Sequence, residues 1–196
     1  MSVLRMFSRW ASAAAATTLL AAVPVLAAAQ ESVSAVWVPK EVQFIYQGFT
    51  TRYSCDGLRD QVREMLDKLG ARDLVVREMA CTTPPGVPSP FPGVRVKMRV
   101  LVPASSAEAS KEKSAGSPVQ AHWKDVVLMP QNAGYDRQGQ CELIEQFKDK
   151  FLPLFTTRNV KFGSTCIPHQ LTLGTHLSAQ VLMSPAKVAS SGSESY

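Results

Sequence analysis

The 196 residues carry 21 lysines and arginines against 16 acids, a formal charge of +5. Two of those arginines, Arg5 and Arg9, lie in a leading segment read below as cleaved, so the mature chain keeps 19 cations against 16 acids, about +3 over 167 residues. An excess that small does not imply a nucleic-acid partner, and the length allows one domain or two small ones.

Residues 1–29 read as a secretory signal peptide: Arg5 and Arg9 with no acid, an uncharged run over residues 11–26, then Ala27, Ala28 and Ala29 as an A-x-A cleavage site before Gln30. The run is alanine-rich and broken by Pro24, short of the roughly 20 strongly apolar residues of a membrane span. No later segment is apolar enough to cross a bilayer, so no transmembrane span is expected after cleavage. All four cysteines, Cys55, Cys81, Cys141 and Cys166, follow the signal. In an oxidising compartment an even set reads as a disulfide framework, with three possible connectivities. None forms a C-x-x-C pair, which removes the usual redox and zinc motifs.

The first unit spans residues 30–103. A strand near residues 42–46 leads to a helix whose stripe is Leu58, Val62, Met65, Leu66 and Leu69, with Asp56 as a candidate cap and Gly70 as the stop. The charges Arg59, Asp60, Arg63, Glu64, Asp67 and Lys68 make its solvated face. A β-prone run over residues 75–81 follows, and then a loop over residues 82–93 with prolines at 84, 85, 88, 90 and 92. That loop is stiff, partly polyproline II, and exposes Phe91 to a partner; a rigid connector would look the same. The next run alternates Val94, Val96, Met98, Val100 and Val102 with Arg95, Lys97, Arg99 and Leu101, a strand with one buried and one cationic face. Its cations recur about every 7 Å, a spacing suited to an anionic surface, although the same cations protect a sheet from aggregation.

Residues 104–120 hold no large apolar side chain except Val119 and read as a flexible linker. The second unit, residues 121–183, repeats the first: a strand near residues 123–129, a helix with Leu143, Ile144, Phe147 and Phe151 ended by Pro153, and a strand over residues 160–166. A last strand sets Leu171, Leu173, Leu177, Ala179, Val181 and Met183 against Thr172, His176, Ser178 and Gln180. Residues 184–196 read as a disordered tail. Matching positions recur at offsets of 84, 86, 86, 85 and 81 from Lys40, Cys55, Arg72, Cys81 and Val100, which points to an internal duplication.

The expected fold is therefore α+β: a β-α-β-β unit twice, with helices on one face of mainly antiparallel sheet. One six-stranded sheet and two small sheets both satisfy the pattern. Each unit sets one cysteine at the start of a helix and the next at the far end of the following strand, so the expected bridges are Cys55–Cys81 and Cys141–Cys166.

The stretch Tyr53-Ser54-Cys55-Asp56-Gly57-Leu58 through Leu69-Gly70-Ala71-Arg72-Asp73, with Cys141-Glu142-Leu143 and Thr157-Arg158-Asn159-Val160, resembles a group of uncharacterised exported proteins of proteobacteria. That resemblance implies export and brings no activity or site residues with it. No G-x-S-x-G or phosphate-binding glycine loop is present. The leading expectation is a non-enzymatic envelope protein, periplasmic or secreted and without a cofactor, that binds a protein partner or an anionic surface through Arg95, Lys97, Arg99 and Phe91. A periplasmic enzyme or metal protein using His122, His169 or His176 is the first alternative; a structural or stress-related protein with no small-molecule site is the second.

Overall fold

The computed structural model describes residues 31–50, 52–111, 116–129, 140–167, 169 and 174–185. The signal peptide, residues 112–115 of the expected linker, Leu171, Thr172, Leu173 and residues 186–196 lie outside the described residues. The elements follow as β1 (Ser32–Ile45), α1 (Cys55–Lys68), β2 (Arg72–Met79), β3 (Gly93–Pro103), α2 (Ala107–Lys111), β4 (Val119–Leu128), α3 (Cys141–Lys150) and, after a 3-10 turn at Leu152–Leu154, β5 (Thr157–Gly163) and β6 (His176–Met183).

All six strands belong to one sheet in the order β2-β3-β1-β4-β6-β5, and every pairing in it is antiparallel. Outward from the β1–β4 pair the order reads alike in both directions: first strand, last strand, middle strand of each β-α-β-β run. The join is short, Ser32–Ala35 against Val119–His122. It settles the choice between one sheet and two.

Strand β1 begins ten residues before the expected strand. Among the described residues its β4-facing edge is unpaired beyond Ala35, which lets Pro39 sit inside the strand without breaking a ladder bond on that side. Two further expectations are corrected. Part of the expected flexible linker is folded: residues 107–111 form α2, where Glu108 pairs with Lys40, and Val119 and Gln120 begin β4. The cap of α1 is Ser54, whose hydroxyl accepts from Gly57 N at 3.2 Å; Asp56 lies in the first turn. Gly70 does close the helix, at φ +81° with its N–H donating to Asp67 O at 2.9 Å.

One face of the sheet is covered by α1 and α3. The core holds the helix stripes Leu58, Val62, Leu66, Leu143, Ile144 and Phe147 together with Val94, Val96, Met98, Val100 and Val102 of β3 and Leu177, Ala179 and Val181 of β6. Phe44 meets Phe151 edge-on at 5.3 Å between centroids, so strands of the first half and the helical segment of the second share that core. Cys55–Cys81 and Cys141–Cys166 are both bridged as expected, closing 26 and 25 residues of sequence. Chain entropy assigns each about 3.5 kcal/mol.

The edge strands β2 and β5 carry the same irregularity. The β2–β3 register shifts between Arg72 and Val75, and the β5–β6 register shifts between Arg158 and Lys161. At both bulges an amide or acid side chain sits in left-handed backbone, Asp73 at φ 50° and Asn159 at φ 54°, 86 residues apart. Asn and Asp tolerate that conformation better than other non-glycine residues, and a bulge at an edge discourages pairing with another chain.

Candidate functional site on the outer sheet face

Alternation places Arg95, Lys97 and Arg99 on the sheet face opposite the helices, and the register adds their neighbours. Arg77 lies across from Arg95, Val75 across from Lys97, and Arg72 across from Arg99; on the other side stand Gln43, Glu41 and Pro39. Five cations thus meet two carboxylates. Glu41 approaches Lys97 at 3.5 Å and Asp73 approaches Arg99 at 3.8 Å, while Arg99 also donates to Trp37 O at 3.2 Å. Among the described residues no carboxylate pairs with Arg77 or Arg95. Like charges directly opposite on a sheet destabilise it. A depression of about 430 Å³ opens here, lined by Val75, Arg77, Glu78, Met79, Arg95 and Lys97. By contrast, the crevice between α1 and α3, bordered by Gln61 and Gln140, has only about 20 Å³ of room.

Among the described residues the second half lacks this cluster. Opposite its two outer cations, Arg158 and Lys161, stand Gln180 and Ser178, and Arg158 is engaged by Gln180 at 2.8 Å and Glu31 at 2.8 Å. Among the described residues the outward cation cluster belongs to the first half.

Toward the β1–β4 join the outer face turns apolar. Ala35, Leu101, Ala121 and Leu182 are buried there with Val33, Trp37, Val119 and Trp123 around them. The Arg72 guanidinium lies 4.7 Å over the Trp37 ring and that of Arg158 lies 4.3 Å over Trp123. Such contacts contribute about 0.5–2 kcal/mol each. Both the tryptophans and the arginines are 86 residues apart, the spacing of Cys55 and Cys141; that shared interval was the signal in the sequence for a pair the composition alone does not mark.

Phe91 is 61 % exposed at the end of a loop that is pinned rather than free. Ser89 N donates to Tyr53 O at 3.0 Å, Tyr46 N to Pro92 O at 2.9 Å, and Gly86 N to Asp56 Oδ1 at 3.0 Å. The Gly86 amide, followed by the Ser54 hydroxyl, holds the Asp56 carboxyl below its ordinary range.

The corresponding acid of α3 is buried. Glu142 accepts from Phe49 N at 2.9 Å, Thr50 N at 3.1 Å, Thr50 Oγ1 at 3.0 Å and Tyr46 Oη at 3.1 Å. Gly48 is required beneath it, since a Cβ there would lie 1.8 Å from the Tyr46 hydroxyl. Thr50 Oγ1 in turn accepts from His169 N at 2.9 Å. Burial, then the neighbouring Tyr53, then Glu142 raise the Tyr46 pKa, and burial and Glu142 raise that of Tyr53. Both phenols therefore stay protonated. The arrangement suits a clasp: one carboxylate ties the segment after β1 to the start of α3.

The three histidines stand on separate elements. His122 is half-buried in β4, His176 begins β6 and is exposed, and His169 lies in a turn at φ 66° with its ring 6.0 Å from that of Phe49. Among the described residues no group of three His, Cys, Asp or Glu side chains is arranged to hold a metal. No described helix is long and apolar enough to cross a membrane. Neither a protein-family model, nor a curated protein, nor a solved structure matches this chain.

Proposed function

We propose that this is an exported, non-enzymatic envelope protein, built by duplication of a β-α-β-β unit, whose first half binds an anionic surface through the outer face of β2 and β3. The observation that carries the reading is the pair of arginines opposed across the ladder, Arg77 and Arg95, neither ion-paired with a carboxylate among the described residues, beside Lys97, which Glu41 approaches at 3.5 Å. A cation cluster that costs stability in isolation is repaid by an anion laid across it. Export agrees with the leading segment, with the resemblance to exported proteins, and with two bridges that belong to an oxidising compartment. Duplication is supported by the twin bulges, bridges and tryptophan–arginine contacts.

Co-sedimentation with vesicles containing anionic lipid, titrated with salt, tests the binding. Each cation near an anionic surface contributes about 1 kcal/mol, so Arg95→Glu, a change of two charges, weakens binding roughly thirtyfold at low salt. Binding that ignores both salt and Arg95→Glu refutes the proposal.

A further inference from the structure

Resting on that reading, we infer that the anionic surface is a lipid bilayer and that the protein enters it tip-first, with Phe91, Ile45 and Met79 in the acyl boundary and Arg77 and Arg95 at the phosphates. The outer face is graded along β3. Arg99, Lys97 and Arg95 are followed at the next alternate position by Gly93, which pairs with Ile45 on one side and Met79 on the other. The ladder continues through the bond from Tyr46 N to Pro92 O, and Phe91 follows just beyond. From Arg95 outward, cations give way to apolar groups.

Gly93 makes the tip continuous. A Cβ at that position would lie 3.0 Å from Met79 Cγ and 3.3 Å from Ile45 Cγ1, so the two side chains close over the bare backbone. Ile45 is 44 % exposed and Phe91 61 %. Large apolar groups held outward on pinned backbone point to an apolar medium.

Dimensions favour a bilayer over a soluble polyanion. Alternate residues on a strand are about 7 Å apart, and the polar headgroup layer on each side of the hydrocarbon core is roughly 5–7 Å deep. With the Gly93 rank at the acyl boundary, the Arg77–Arg95 rank lies about 7 Å out, at the headgroups, and Lys97, about 14 Å out, lies in the water beyond them. Arginine suits this position, since its stem stays in the apolar layer while its head reaches anions. A polyanion lying along β3 would use the cations and leave the tip idle.

The test compares two probes on the exported protein: vesicles of phosphatidylcholine with phosphatidylglycerol, and inorganic polyphosphate. Phe91→Ser is expected to weaken vesicle binding roughly tenfold, and Phe91→Ser with Ile45→Thr further, while polyphosphate binding is unchanged and Arg95→Glu weakens both. The wild-type protein should raise the surface pressure of an anionic lipid monolayer, and the double variant should not. Unchanged melting temperatures confirm that the variants fold. Vesicle binding or monolayer pressure that ignores the tip substitutions overturns the insertion and leaves the anion reading standing. Failure of both probes to bind overturns both and directs the search to a protein partner.

Discussion

Replacing Glu142 by alanine is the sharpest test of how the two halves are joined. The carboxylate is 7 % exposed and accepts from two backbone amides and two hydroxyls of the segment after β1. Hydrogen bonds to a charged group contribute about 1.5–3 kcal/mol each, but the amides of Phe49 and Thr50 lie where water can replace the lost acceptor. The burden falls on the Tyr46 hydroxyl, in a residue only 1 % exposed. Glu142→Ala should therefore cost about 3 kcal/mol, which for a chain of this size lowers the melting temperature by roughly 6–12 °C. Glu142→Gln, which keeps one acceptor oxygen, should lose about half as much. Asp56→Ala at the corresponding position should cost less, because Asp56 is only half-buried and takes a single amide from the loop. Circular dichroism melts at neutral pH measure all three. A Glu142→Ala variant melting within about 2 °C of wild type, or no more destabilised than Asp56→Ala, would refute the clasp.

Removing either disulfide by paired Cys→Ala substitution should cost about 3.5 kcal/mol, read from denaturant midpoints, and non-reducing peptide mapping should recover Cys55 with Cys81 and Cys141 with Cys166. Gly70→Ala should cost about 1–3 kcal/mol from left-handed strain, compounded by Met183 Cγ at 3.0 Å from the new Cβ; a melt unchanged from wild type would contradict it. Because the Asp56 pKa is lowered on folding, and that of Asp60 also by its bond to Arg59, the folded state binds fewer protons than the unfolded one in acid. Their stabilisation is complete above the ordinary carboxylate range and is lost as pH falls through the lowered values; Asp56→Asn should flatten that acid slope in pH-dependent melts. Arg95→Glu should raise stability by about 0.5 kcal/mol at low salt by turning a like-charge pair with Arg77 into an opposite one, with the gain vanishing at high salt; a loss of stability would show that the arginines are not in conflict.

Much of the frame was legible because helices cover one sheet face. On β3 that cover imposes strict alternation, and the buried valines and outward cations stand where the sequence puts them. The bridges were legible for a related reason: Cys55 and Cys141 begin helices that periodicity locates, and Cys81 and Cys166 follow within three residues of the end of the next strand. The first ten residues of β1 were not. Ala35 and Trp37 on one face and Val36 and Val38 on the other are all apolar, so no alternation shows, and Pro39 reads as a stop. The β1–β4 join lies partly in that stretch and partly in residues assigned to the linker. Its four pairs decide the architecture, yet they leave no pattern longer than themselves. The clasp at Glu142 was invisible as well, since its partners come from a segment more than ninety residues earlier.

The two halves agree where backbone geometry is at stake and differ where solvent is faced. Asp73 and Asn159 sit at equivalent bulges, and Arg72 and Arg158 cover equivalent tryptophans, Trp37 and Trp123, because a slipped register would turn every side chain of an edge strand to the wrong face. Nothing comparable constrains the outer ranks. Arg95 and Lys97 have no cationic counterpart on β6, where Ser178 and Gln180 stand outward. The acids that begin α1 and α3 differ in the same way: Asp56 is half-buried and holds its own half's proline loop, while Glu142 reaches into the other half and is buried. A frame fixed by backbone demands leaves its outward positions free to change singly, so a binding face can arise on one half without a matching change on the other. The proposed anionic surface should therefore meet the protein on one side, through β2 and β3, with α3 and its clasp holding the rest of the sheet in place behind them.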